Sequence, residues 1–401
     1  MKDVAITGFA VRTALGHTAE ELCERLLAGE RAAADNTRFD ARTYACRLAA
    51  SIDGEPAKSP HDRILRRTGR FAYHAAREAL DRSAATTGLR LGLFSGVGGL
   101  RAHWNELMPA FAKQQPDLQN SWKQGFRRMH PYWMLQHLSN NTHALLSRDV
   151  DARGEGVTFG GANAGVQALA SASRALADGA IDAALVVAYD SLIEPETVVE
   201  MAARGAAPTC DVNGLRAPYS PQPGGGVPGE AAAAVVLEPI DRARTRSADI
   251  LAFISGSEAA DGSPGYPGAD AVGQIAGSLL GGVELGDGCL VIDGAALGVA
   301  ALDAAERHAL ASVAGTEAPL LATQAALGQI GAAAALIQAI ALAHFLKRGW
   351  LPAIAGLQES AAGPLQPLRQ PTTTEARAAL AISMGAPGLV GAVRIALREL
   401  V

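Results

Sequence analysis

Two periodicities alternate along the chain from its first residues. "DVAITGFAV" (residues 3–11) is apolar on both faces and reads as a buried strand. "TAEELCERLLAG" (Thr18–Gly29) switches to helical spacing, with Thr18 as N-cap and Gly29 as stop. The same rules give a helix in "RRTGRFAYHAAREALDRSA" and strands in "RLGLFSGVG", "DAALVVAYDS" (Asp182–Ser191) and "AAAAVVLEPI". The second half repeats the style. "DILAFISGSEAADG" and "GCLVIDGAALG" read as strands, "PLLATQAALG" follows, and a long Ala-rich helix precedes the paired strands of "RAALAISMGAPGLVGAVRIAL". Alternating elements in two comparable halves predict an α/β fold with an internal pseudo-repeat. The expected division is 1–240 and 241–401, with the seam in "EPIDRARTRSAD" (Glu238–Asp249). Two segments, Pro109–Trp133 and Ala217–Glu230, fit neither period and are long for plain connections.

One stretch combines both periods with an unusual joint. In "GVTFGGANAGVQALASASRALADG" (Gly156–Gly179) a β-branched and aromatic run meets two glycines, and a helix follows from about Val166. This is the layout of a nucleophile elbow, in which a tight turn presents a side chain at a helix N-terminus that favours negative charge. At the tip stand Ala162, Asn163 and Ala164, none of them a nucleophile.

Composition narrows the field. The 401 residues are 49% hydrophobic but only 5% aromatic, which suits small side chains in closely stacked layers. A net charge of −5 gives no electrostatic case for nucleic acid, and the basic run "DRILRRTGR" reads as a solvated helix face. Four dispersed cysteines (Cys23, Cys46, Cys210, Cys289) form no CxxC pair, which suggests neither a zinc site nor a disulfide framework. The start lacks the charged head and apolar run of a signal peptide. The longest apolar run, Ile330–Leu346, contains Gln338 and His344 and reads as a buried helix rather than a membrane span. The expectation is a cytoplasmic protein. His130, His137 and His143 lack the His-x3-His spacing of a helical metal site, so no metal is expected. No GxGxxG follows a strand and no Walker lysine is present, which excludes nucleotide binding.

Several motifs in order resemble the β-ketoacyl synthases, which have the thiolase fold. "VAITGFAVRTALG" is similar to the family opening V-x-I-T-G-x-G-x-x-[ST]-x-x-G. "APYSPQPGGGVPGEAAAAVVLEP" is similar to P-F-D-x-x-R-D-G-F-V-x-G-E-G and its strand, with Pro218, Gly225, Val227, Gly229 and Glu230 matching. "LKRGWLPAI" and "ISMGAPGLVGAVRIAL" resemble the family's closing segments, with Ala386 and Val390 where Phe and Asn would stand. The resemblance covers the whole chain and implies a layered αβαβα architecture.

It also shows what is missing. An active member needs a Cys thiolate, two histidines and a supporting lysine. Counting along the motifs puts Ala162 at the Cys position, Thr323 at the Lys and Gly328 at the second His. Asp293, or alternatively Ala295, stands for the first His, while the following Asp303 and Glu306 are kept. Four empty positions imply that condensation by the family mechanism is lost. The chain then resembles the chain-length factor of type II polyketide synthases, a dead partner of an active ketosynthase. The aromatic branch typically has Gln at the Cys position; Ala162 tilts the expectation towards polyene-type systems.

The resemblance implies an active ketosynthase as heterodimer partner and an acyl carrier protein that delivers the chain on phosphopantetheine, with no cofactor of its own. It implies pairing of edge strands across the dimer, and places the His130–His143 stretch at that interface. The tunnel gates fall at Ala102, Asn105 and Pro109, with Trp104 and Leu107 beside them. Glu230 is expected to hold the Pro/Gly loop and Asp293 to serve as a turn residue. The alternative is an enzyme of altered chemistry, such as a malonyl-carrier decarboxylase, using Asp293, Glu230 or an unmatched Cys.

Overall fold

The computed structural model describes residues 3–84, 89–99, 106, 125–261, 265, 268–280 and 290–398. Its main sheet has ten strands: β1 (Val4–Arg12), β2 (Leu91–Val97), β3 (Gly156–Gly160), β4 (Ala183–Ser191), β5 (Glu230–Pro239), β6 (Ala252–Asp261), β7 (Leu290–Asp293), β8 (Leu320–Leu321), β9 (Ala378–Gly385) and β10 (Leu389–Ala396). The order is β8-β7-β9-β10-β6-β1-β5-β4-β2-β3. The first five strands run β3-β2-β4-β5-β1 and the last five β8-β7-β9-β10-β6, so each half uses the same order. Directions match as well. In each half the first, fifth and fourth strands are antiparallel neighbours, and the fourth, second and third are parallel. The halves meet at β1 and β6 through three antiparallel pairs, from Val4↔Ile254 to Ile6↔Ala252.

Helices stack on this frame in three layers. α1 (Arg67–Ser83) covers the outer face of β1, β5 and β4. α2 (Ala164–Ala177) follows β3, packs on β2 and β4, and reaches β6 and β10 of the other half. Its counterpart α5 (Ala334–Arg348) follows β8 and packs on β9, β10 and β5. On the far face α3 (Ala269–Leu280) and α4 (Ala300–Ala314) pack together beside β6 and β10. The result is the αβαβα arrangement of the thiolase fold.

The apolar run that includes Ile330–Leu346 becomes α5, buried on nearly every side because it lies in the middle layer. Small residues let the layers approach. A Cβ on Gly165 would run into the Ala332 carbonyl, so the start of α2 and the segment before α5 meet backbone to backbone. Three apolar clusters fill the gaps between the layers, the largest around α2 and α5. Among the described residues no helix is long and apolar enough to cross a membrane.

Candidate functional site

The elbow forms where β3 runs into α2. Gly161 adopts φ +113°, a conformation glycine supplies, and its N–H donates to the Val97 carbonyl at 2.9 Å. Asn163, fully buried at the helix start, does not cap α2 with its side chain. Its amide instead donates to the carbonyls of Val390 (3.1 Å) and Ala260 (3.2 Å), tying the elbow to the second half. Between them the Ala162 methyl faces Gly385, where a Cβ would collide with it.

A cavity of about 310 Å³ opens over Ala162. Leu192, Met201, Leu297, Met384 and Leu389 give it apolar walls. Glu196, Glu200 and Arg204 stand on one side, on α-helix Pro195–Ala203 and just beyond it, and Glu200 pairs with Arg204 at 3.1 Å. No Cys, His or Lys is among the described residues that line it.

The other sequence-derived positions lie elsewhere. Asp293 ends β7, is fully buried and does not line the cavity. It accepts the Thr323 N–H at 2.8 Å and the Thr323 hydroxyl, so two of the four substituted positions bond to each other. Burial pushes the Asp293 carboxyl up to about 6, against those two bonds. Gly328 (φ +75°) has the Val227 carbonyl 2.7 Å from where a Cβ would stand, and it too is absent from the cavity wall. The side chain that reaches the cavity is its neighbour Gln329, whose Nε2 donates to the Ala296 carbonyl at 2.9 Å. No signal for Gln329 was present in the sequence: with Gly331-Ala332-Ala333 in register, the count puts Leu327 at the family's glycine and Gly328 at its second His. Ala295 is buried, with its N–H donating to Glu306 Oε1 at 2.7 Å.

Asp303 and Glu306 form a clasp beneath the cavity. Asp303 accepts the N–H groups of Gly298 (3.1 Å) and Tyr219 (2.9 Å). Glu306 accepts from the N–H groups of Ala295 and Ala296 and from the Tyr219 hydroxyl at 2.7 Å. Burial pushes Glu306 up to about 7 and Asp303 up to about 6. Tyr219, at φ +61°, anchors the Pro/Gly loop to this clasp, and the Gly225 N–H donates to the Gly298 carbonyl at 2.9 Å. The expectation for Glu230 therefore changes. It opens β5, accepts the Ile52 N–H at 3.0 Å and pairs with Arg67 at 3.0 Å, holding α1 and residue 52 rather than the loop. Burial raises its carboxyl while Arg67 pulls it down.

A second cavity of about 330 Å³ lies beside Gly98–Gly99 and shares Gly98 and Asp190 with the first. The positions expected as tunnel gates, Ala102, Asn105 and Pro109, and their neighbours Trp104 and Leu107 lie outside the described residues, as does Cys289. Glu106 is described: Arg66 donates to it at 3.0 Å and His137 approaches at 3.0 Å. His143 shares a hydrogen bond with Ser95 Oγ at 3.0 Å, and His130 is exposed. The three histidines thus serve separate contacts, and no group of three metal-ligating side chains occurs among the described residues. Burial pushes the Cys23 thiol up to about 12, the state of an inert core thiol.

The β-ketoacyl synthase N-terminal domain model matches residues 1–243, and the C-terminal domain model matches residues 286–358. The chain belongs to the β-ketoacyl synthase family. It is 29% identical over 268 residues to the 3-oxoacyl-[acyl-carrier-protein] synthase 2 of Coxiella burnetii, covering 63% of this chain and 62% of that protein. That match spans less than two thirds of the relative's length. A β-ketoacyl synthase from Burkholderia phymatum superposes with TM-score 0.87 at 23% identity, covering all of both chains. The ishigamide ketosynthase/chain length factor superposes at 0.86 and 22% identity, covering 99% of this chain and 100% of that one. At these identities the structural likeness is one of fold.

Proposed function

We propose that this chain is a chain-length factor: a catalytically silent subunit that pairs with an active ketosynthase and shapes its acyl tunnel in a type II polyketide pathway. The observation that carries the reading is the elbow cavity. It presents a methyl group where a thiolate would attack, and its described walls offer no imidazole or ammonium to hold an enolate oxygen. Asp293 and Thr323 are turned into a buried bond with each other and do not face that space.

Two surfaces suit a partner. β3 is an edge strand with a single ladder neighbour among the described residues, and its middle residues are half-buried. Phe126, Tyr132, Met134, Leu135 and Leu138 are each between 39% and 59% exposed within a short stretch, an unusual run of apolar surface for a chain that stands alone. In this reading an acyl carrier protein visits the pair, and the chain arrives on its phosphopantetheine arm without a further cofactor. Residues 1–240 and 241–401 are the two fused halves.

Native mass spectrometry of the protein co-expressed with any ketosynthase encoded beside its gene tests the pairing. A one-to-one heterodimer is expected. A stable homodimer that ignores that ketosynthase would remove the reading and favour an enzyme of altered chemistry.

A further inference from the structure

A third, narrow cleft lies beside the Pro/Gly loop and collects positive charge with no acid to match it. Two guanidinium groups line it, Arg31 and Arg216, with the amides of Gln324 and Gln329. The other side chains on its described wall are apolar: Leu215, Pro218, Val227, Ala296 and Ala325. No carboxylate is among the described lining residues. The acceptors that the two arginines have are neutral. Arg31 Nη1 donates to the Leu215 carbonyl at 3.2 Å, and Arg216 Nη1 to the Gln222 amide oxygen at 2.6 Å.

Arg31 is fixed in this place by its surroundings. It follows helix Ala19–Leu27, and the N–H of the next residue, Ala32, donates to the Ala326 carbonyl at 2.8 Å. A Cβ on Gly356 would stand 2.6 Å from Arg31 Cζ, so the guanidinium lies against that backbone. The side chain is half-buried, and its Nε is buried with no partner among the described residues. A guanidinium does not shed its charge, and a charge taken out of water is costly unless an opposite charge meets it. Burial pulls Arg31 down from its ordinary value, and among the described residues the one acidic group that acts on it is the Cys210 thiol.

The cleft measures about 10 Å³, room for one particle the size of a water molecule. Phosphate is too large for that space, and a monatomic anion fits. Charge separates the two particles of the right size. A water would leave both guanidinium groups unmatched. Chloride accepts several N–H bonds at once and is weakly enough hydrated to sit against apolar walls. We propose that this cleft binds chloride, or a halide of similar size, between Arg31 and Arg216. An ion there joins residue 31, the Pro/Gly loop and segment 324–329, whose Gln329 also lines the cavity over Ala162. The site stands independently of the chain-length-factor reading.

The test is chlorine NMR of the full chain, in which exchange with a protein site broadens the line of free chloride. The excess broadening should saturate with chloride and be displaced by bromide. Arg31→Gln should remove most of it, and Arg216→Gln should weaken affinity by about three-fold or more. Arg153→Gln, at an exposed pair with Asp151, should change nothing. If Arg31→Gln does not fold, Arg216→Gln carries the test, because that side chain is exposed. Thermal midpoints in equal concentrations of sodium fluoride, chloride and bromide give a second readout. Bulk salt effects place fluoride first, through exclusion of strongly hydrated ions from the surface. Binding to the folded state raises chloride and bromide above it by mass action, and Arg216→Gln should return the order towards fluoride first. Equal broadening in the parent and the variants at 31 and 216 would overturn the proposal, as would fluoride ranking first in the parent.

Discussion

Two neighbouring cavities of similar size differ in what their walls can do. The one over Ala162 is walled by Leu, Met and a methyl group on one side and by Glu196, Glu200, Arg204 and Gln329 on the other, with no Cys, His or Lys among its described residues. The one beside Gly98–Gly99 is walled by donors and paired charges. They meet at Gly98 and Asp190. The difference teaches that a region without the family's nucleophile at Ala162 still carries polar groups.

The largest effect should come from breaking the donor-rich wall. Arg67→Met leaves Glu230 buried without its cation, a change that costs about 3–5 kcal/mol. Urea unfolding should show that loss, while the walls over Ala162 contain neither residue. A loss under about 1 kcal/mol would mean that the pair contributes little.

The joint between the cavities is the next target. A Cβ on Gly98 would overlap the Asp190 carboxylate, which accepts the N–H groups of Ser191 (2.8 Å) and Ala332 (3.1 Å). Gly98→Ala should therefore cost about 1–3 kcal/mol, read as a lowered thermal midpoint. An unchanged midpoint would show that the shared wall yields freely.

pH tests the clasp under the elbow cavity. Glu306 and Asp303 titrate near 7 and 6 when folded, against ordinary values of 4.5 and 3.8. Between those limits the folded protein retains protons that the unfolded chain has released. Their contribution is therefore greatest at the acid end, falls as pH rises from about 4 to about 7, and then levels. The Glu306→Gln variant should lose about half of the slope the pair contributes, with Asp303 keeping the rest; a slope equal to that of the parent would contradict the assignment.

The smallest effect is expected at the elbow itself. Ala162→Cys adds one sulfur atom, should change stability by about 1 kcal/mol or less, and should give no condensation in a malonyl-thioester assay. Turnover by that variant alone would mean that the walls hold more chemistry than their side chains suggest.

Much of the fold was legible in the chain. The alternating periods gave the α/β layers and the repeat, because each core strand and helix carries its burial pattern in its own residues. The apolar run of α5 gave its burial but not its layer, which depends on packing against α2 and both halves of the sheet. The site was legible in part. Ala162 is local to one turn, so the missing nucleophile could be read directly. Gly328 and Gln329 differ by one step of register, and only the φ of Gly328 and the direction of the next side chain separate them. The bond between Asp293 and Thr323 joins residues 30 apart, and Glu230 and Arg67 are 163 apart. Neither pairing leaves a periodic trace, which is why Glu230 was expected to hold its own loop.

The most direct test of a silent subunit is to ask where the acyl group goes. The co-purified pair would be exposed to an acyl-carrier protein thioester and analysed by intact-protein and peptide mass spectrometry. The account predicts a stoichiometric acyl adduct on the ketosynthase partner and none on this chain. A covalent acyl adduct on any residue of this chain, formed at a comparable rate, would contradict it.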